Sequence, residues 1–287
     1  MPIGLLQIII LGLVQGAAEL LPVSSSAHVI VAEKLMGIDP SSPEATFLLV
    51  MLHTGTMFAV LVYFWKSWMK AYFSSQGVFI KTAIHAGVAT ALTGIVGLGL
   101  MKGIEKLFLQ NTGTGQIEEL FGQLPLVATA LAAAGVFILM ASRFRMSQSQ
   151  STNLSATSAL AMGIVQGLSL PFRGFSRSGG TISTGLILGS SKEASEAFSF
   201  LLAVILTPAV VLRELLRLMK LKSAESELHH LTHMITPGVI GMLASFVAGL
   251  FALKLLSRFL VQGRWSYFGF YCLAASALIF ILAGTGL

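Results

Sequence analysis

Six apolar runs, each long enough to cross a lipid bilayer, leave this chain few ways to fold. They lie at about 45–65, 82–101, 124–142, 197–217, 236–256 and 266–286. A run of about 20 apolar residues matches the thickness of a bilayer core. Lipid gives backbone groups no water, so a spanning segment must be a helix or part of a closed barrel. The runs lack the alternating pattern of barrel strands, so helices are expected. Composition agrees: of 287 residues, 55% are hydrophobic and 10% charged, and the mean hydropathy is +0.84. A soluble domain carries about 25% charged residues.

Two further apolar stretches differ. Residues 3–37 and 155–192 are each broken near the middle by Pro, Gly and Ser. Each reads as two short helices joined by a non-helical tip, a re-entrant hairpin. Broken backbone at membrane depth is tolerated where protein buries it or where it lines a wet cavity. The two halves of the chain repeat weakly. "GLVQG" at 12–16 returns as "GIVQG" at 163–167, and a proline and a serine cluster follow each. Phe47 and Phe198 stand at the same offset from the two motifs. One hairpin and three spans per half imply a single membrane domain built from halves of about 1–150 and 151–287. Three spans is an odd number, so the second half is inverted. Inverted repeats with broken helices place their sites near the bilayer midplane.

The first run has no basic n-region and leads into Glu19 and serines, which argues against a signal peptide. Cys272 is the single cysteine, so neither an internal disulfide nor a cysteine metal site is expected. The net charge of +6 fits loops that face anionic lipid. No basic patch with interleaved aromatics supports a nucleic-acid partner. Loop charges bear on orientation. Lys66, Lys70, Lys81, Arg143, Arg145, Lys192, Lys254, Arg258 and Arg264 share one side. Lys34, Lys102, Lys106, Arg213, Arg217, Lys220 and Lys222 share the other, with most of the acids. The excess favours the first side as cytoplasmic.

An ionisable group inside a membrane is costly and marks a functional site by default. Four stand in the broken stretches: Glu19, His28, Arg173 and Arg177. Gln15 and Glu19 are four apart and share a helix face. Their oxygens suit a divalent cation of the magnesium or calcium kind, or a structural hydrogen bond. Ser24, Ser25, Ser26 and His28 follow Pro22. A serine beside an imidazole suits nucleophilic attack with a base to take the proton; the same serines also suit a helix cap. In "RGFSRSGGTIS", Arg177 offers a planar donor fork that matches phosphate. Ser176, Ser178 and Thr181 add hydroxyls, and Gly174, Gly179 and Gly180 let the backbone approach an anion. The stretch reads as an oxyanion cradle, or as the partner of Glu19 in an ion pair. His53 and His85 lie inside spans and read as satisfied helix residues. His229, His230 and His233 read as a solvated loop.

The two motifs resemble those of the bacterial undecaprenyl-pyrophosphate phosphatases, also called bacitracin-resistance proteins. The resemblance covers essentially the whole chain. The first motif reads Gln15, Glu19, Pro22, Val23, Ser24, Ser25, Ser26 and His28; the second runs from Arg173 through Gly174, Ser176, Arg177, Ser178 and Gly179 to Thr181. Arg173 stands in place of the usual proline, and Gln15 where many members have glutamate. The resemblance implies an all-α integral membrane enzyme that hydrolyses undecaprenyl pyrophosphate to the monophosphate and inorganic phosphate. That recycles the lipid carrier for cell-wall polymers. It implies catalytic roles for Glu19, Ser25, His28 and Arg177. It implies phosphate binding by Ser24, Ser26, Arg173, Gly174, Ser176, Ser178 and Thr181, and a Mg2+ or Ca2+ ion at Gln15 and Glu19. The expected setting is the bacterial plasma membrane, with the site open to the outer face. The expected partners are the lipid substrate and membrane lipid, with a homodimer left open. The rival reading is a transporter or flippase for a phosphorylated substrate.

Overall fold

A computed structural model describes residues 3–39, 42–109, 120, 122–144, 154–220 and 225–285. The described residues form ten α-helices and no β-strand. Two short pairs are α1 (Leu5–Leu20) with α2 (Ser25–Leu35), and α6 (Ala156–Ser169) with α7 (Arg177–Ile187). The longer helices are α3 (Pro43–Tyr72), α4 (Gln76–Ile104), α5 (Leu124–Arg143), α8 (Lys192–Lys220), α9 (Glu225–Val261) and α10 (Ser266–Gly284). A π-helical turn, Glu105–Leu109, extends α4. All six long helices contain a segment long and apolar enough to span a membrane. The helical signals are local. Ser42, Ser75 and Ser155 cap α3, α4 and α6 by accepting from Ala45, Val78 and Ser158 backbone N–H groups. Such a cap satisfies one of the orphan donors of a first helical turn.

The broken stretches break where proline forbids a helix. Leu21 precedes Pro22 and is extended, at φ −81° and ψ 153°, as a residue before proline prefers. α6 ends at Ser169, two residues before Pro171, although Leu170 itself keeps helical angles, at φ −66° and ψ −47°. The next helix of each pair starts at a serine cap: Ser24 for α2 and Ser176 for α7. Both of these helices are 11 residues long.

The repeated "GxVQG" motif has a packing job in both halves. Gly12 and Gly16 face the α9 backbone, where an added Cβ would sit 2.8 Å from the Gly241 carbonyl oxygen. Gly163 and Gly167 face α4 in the same way, and a Cβ on Gly167 would sit 2.9 Å from the Thr93 carbonyl oxygen. Small residues four apart let membrane helices approach closely. Each half therefore lays its first short helix on a long helix of the other half. Thr93 reinforces one crossing by donating to the Gly163 carbonyl at 2.9 Å. α5 packs along α10, and α3 along α8, so both halves also meet in the middle of the bundle. The main core joins them through Leu131, Ile138, Phe200, Leu253, Leu256, Trp265 and Cys272.

Substituting Val for Gly16 or Gly163 is expected to destabilise the protein by about 1–3 kcal/mol or more, because backbone rather than a flexible side chain blocks the new methyls. Thermal unfolding in detergent checks this. Gly99, which has open space around it, should tolerate Ala under the same assay.

Candidate active site

The tips of the two short pairs meet. Ser24, Ser25 and Ser26 at the start of α2, and Ser176, Arg177 and Ser178 at the start of α7, line one cavity of about 260 Å³. Gln15 and Glu19 from α1, Glu33 from α2, His53 from α3 and Arg173 also line it. The remaining wall is mostly apolar, with Leu49, Val50, Leu170, Phe172, Leu206, Val210 and Val211, and also carries Ser169 and Thr207. Two helix N-termini thus bring their positive dipole ends to one space. That arrangement attracts anions.

Glu19 is the hub. One carboxylate oxygen accepts from Arg177 Nη2 at 2.5 Å. The other accepts from the Ser25 hydroxyl at 2.5 Å and the Gln15 amide at 3.3 Å. The same oxygen lies 3.9 Å from His53 Nε2. Both charged side chains stay in touch with the cavity, at 16% exposure for Glu19 and 20% for Arg177. The ion pair considered from the sequence is therefore present, and it sits in the cavity wall rather than in a sealed core. Arg173 lies close enough to Glu33 to act on its charge.

Gly174, Thr181 and His28 do not line the cavity, whereas Ser176 and Ser178 line it and also hold the tips together. Ser176 caps α7 by accepting from Gly179 N–H at 3.1 Å. Ser178 ties the two tips together by donating to the Leu21 carbonyl at 3.2 Å. Thr181 is buried and spends its hydroxyl on the Arg177 carbonyl and on Ser199, at 2.9 and 2.6 Å. Gly174 has φ +111°, and a Cβ there would run into the Val127 backbone; its requirement is a turn pressed against α5. His28 points away from the cavity. Its ring nitrogens lie 2.8 Å from the Ser24 carbonyl and 2.8 Å from the Tyr271 hydroxyl.

His53, set aside in the sequence as a satisfied helix residue, lines the cavity. Its Nδ1 donates to the Leu49 carbonyl at 2.8 Å. A carbonyl only accepts, so Nε2 is the atom left facing Glu19. Glu33 was also missed. Both carried the same faint signal, a polar group in an apolar setting. His229, His230 and His233 lie within α9 rather than in a loop, and their side chains are outside the described residues.

The donor set can be tested against a divalent cation. Among the described residues, no group of three or more His, Cys, Asp or Glu is gathered to hold a metal alone. Mg2+ needs less, since it commonly takes one or two carboxylates with substrate phosphates and waters. Glu19 supplies one carboxylate. Gln15 turns its N–H toward Glu19 and would have to present its amide oxygen instead.

Fold and site together define a polytopic helical membrane protein with a hydroxyl-lined cavity between two helix tips. Residues 8–278 match the family model described as bacitracin resistance protein BacA, and the chain belongs to that family. It is 53% identical over 281 residues to undecaprenyl-diphosphatase 2 of Acinetobacter baylyi, covering 97% of this chain and 98% of the relative. It is 35% identical to the undecaprenyl-diphosphatase of Desulfosudis oleivorans, over 98% and 97% of the two chains. It is 33% identical to that of Renibacterium salmoninarum, over 98% and 96%.

Proposed function

We propose that this protein is an undecaprenyl-diphosphatase, which hydrolyses the membrane isoprenyl pyrophosphate to its monophosphate and inorganic phosphate. The observation that carries this is the Ser25–Glu19–Arg177 cluster, set where two helix N-termini converge inside an apolar-walled cavity. A free anion needs no apolar wall, whereas an isoprenyl pyrophosphate needs both surfaces.

Substrate phosphate displaces Glu19 from part of the Arg177 fork. Arg177 and the N–H groups of α2 and α7 then hold the charge that grows on the transferred phosphoryl group. Glu19 takes the Ser25 proton. Ser25 Oγ attacks the terminal phosphorus, and the bridging bond breaks toward the lipid monophosphate. Water then cleaves the phosphoserine. Ser25 regains its proton from Glu19, and the water's hydrogens leave on inorganic phosphate. Arg173, facing Glu33, contributes a second cation. A Mg2+ or Ca2+ ion on Glu19, the Gln15 amide oxygen and phosphate oxygens would supply further charge neutralisation.

The two short pairs are re-entrant hairpins in an inverted repeat, a reading supported by the exchanged glycine crossings on α9 and α4. The cavity walls come from the start of α3 and the second half of α8. Loop charges favour that side as outer, so the site opens to the outer face of the bacterial plasma membrane. Product release there returns the carrier to cell-wall synthesis and raises bacitracin resistance.

The test is phosphate release from undecaprenyl or farnesyl pyrophosphate by purified protein in detergent. Release is expected, with a fall on adding chelator. Ser25→Ala should lose about 10²–10⁴-fold in rate, and Ser26→Ala far less. No release by folded protein with metal supplied would favour transport of a phosphorylated lipid, which needs two compartments to be seen.

A further inference from the structure

Ser24 is the one non-glycine residue with positive φ among the described residues, at +67°. A side chain rarely adopts that conformation, and it persists only where the surroundings hold it. Ser24 is also the cap of α2 and the immediate neighbour of Ser25. Its conformation therefore sets where α2 begins and where the Ser25 hydroxyl points.

The group that holds it is His28 on α2, which α10 holds in turn. His28 Nδ1 lies 2.8 Å from the Ser24 carbonyl. The carbonyl only accepts, so this nitrogen carries the hydrogen. In a neutral ring Nε2 is then the acceptor, and the Tyr271 hydroxyl donates to it at 2.8 Å. The His28 ring lies nearly parallel to Tyr271, with centroids 5.7 Å apart and 13° between planes. On the other flank of the tip, Cys272 Sγ meets the Pro22 carbonyl at 3.3 Å. Adjacent residues of α10 thus grip the tip on both sides of its bend. Neither nitrogen of His28 is left for the reaction, and His28 is absent from the cavity wall.

We infer that His28 and Tyr271 are positioning residues, which clamp Ser24 in its strained conformation so that Ser25 meets Glu19. This rests on the phosphatase reading above. The chain Tyr271–His28–Ser24 works by geometry and carries no proton to or from the substrate. A shift of about 1 Å in a reacting group is enough to cost about 10²-fold in rate.

The discriminating experiment is a set of substitutions assayed for kcat and KM with farnesyl pyrophosphate in detergent. His28→Ala is expected to lower kcat about 10²-fold with KM little changed. His28→Asn places an amide N–H near the Nδ1 position but offers no base. It should restore kcat to within about tenfold of wild type. Tyr271→Phe removes only the clamp on Nε2. It should lower kcat several-fold, and by no more in a His28→Ala background. If His28→Ala fails to fold, His28→Asn and Tyr271→Phe still decide. His28→Asn as inactive as His28→Ala, or Tyr271→Phe with wild-type kcat, overturns the assignment while the wild type stays active. A wild-type protein that releases no phosphate overturns the phosphatase reading itself.

Discussion

Arg177→Ala is expected to lower kcat/KM for isoprenyl pyrophosphate by about three orders of magnitude or more. An arginine that meets transition-state charge in phosphoryl transfer is worth about 10³–10⁵ in rate. Arg177 opens α7, so its fork adds to the N–H groups of that helix end rather than acting alone. The fold should survive the change. Glu19 keeps the Ser25 hydroxyl and the Gln15 amide as donors, and His53 stays 3.9 Å away. Arg177→Lys should recover only a small part of the activity, since an ammonium is a point charge and not a planar fork. Steady-state hydrolysis, with thermal unfolding as the check on folding, measures both. Hydrolysis by Arg177→Ala within tenfold of wild type would remove Arg177 from the mechanism.

The six runs and the two interrupted stretches were legible because lipid punishes polarity so heavily. Apolar length marks the span, and proline with serine marks the break. Helix ends were less legible, because they answer to other physics. The run read from residue 197 belongs to a helix that starts at Lys192, where Ser191 accepts from the Ala194 N–H at 3.1 Å. Past its apolar run α3 continues through Lys66 and Lys70 to Tyr72, since a helix does not stop where the lipid does.

Within the site, the sequence named the residues that sit on the two tips but could not aim them. Ser25 and His28 stand three apart in the first turn of α2, yet their side chains take different partners. One turns to Glu19 and the other to α10. Thr181 belongs to the second motif but turns into the α7–α8 contact. His53 is 34 positions from Glu19 and nothing local links them; the packing of α1 against α3 does. Adjacency along a chain suggests chemistry, and helical rotation decides it.

Glu19→Ala is expected to abolish measurable hydrolysis and also to destabilise the protein, by about 2–4 kcal/mol. The activity loss follows from its position. Glu19 contacts the proposed nucleophile, the phosphate-binding arginine and the proposed metal site at once. The stability loss follows from an asymmetry within the pair. A carboxylate left without Arg177 still has hydroxyl and amide donors. A guanidinium left without Glu19 faces the positive ends of α2 and α7 with its nearest anion gone. Removing one partner of a buried pair leaves an uncompensated charge, whereas removing both need not. The double variant Glu19→Ala/Arg177→Ala should therefore unfold at a higher temperature than Glu19→Ala and remain inactive. Thermal midpoints of the four proteins in one detergent close this cycle. A double variant less stable than Glu19→Ala would show that the pair is held by packing and not by charge. In that case the convergence of the two helix ends would not be the source of the site's affinity for anions.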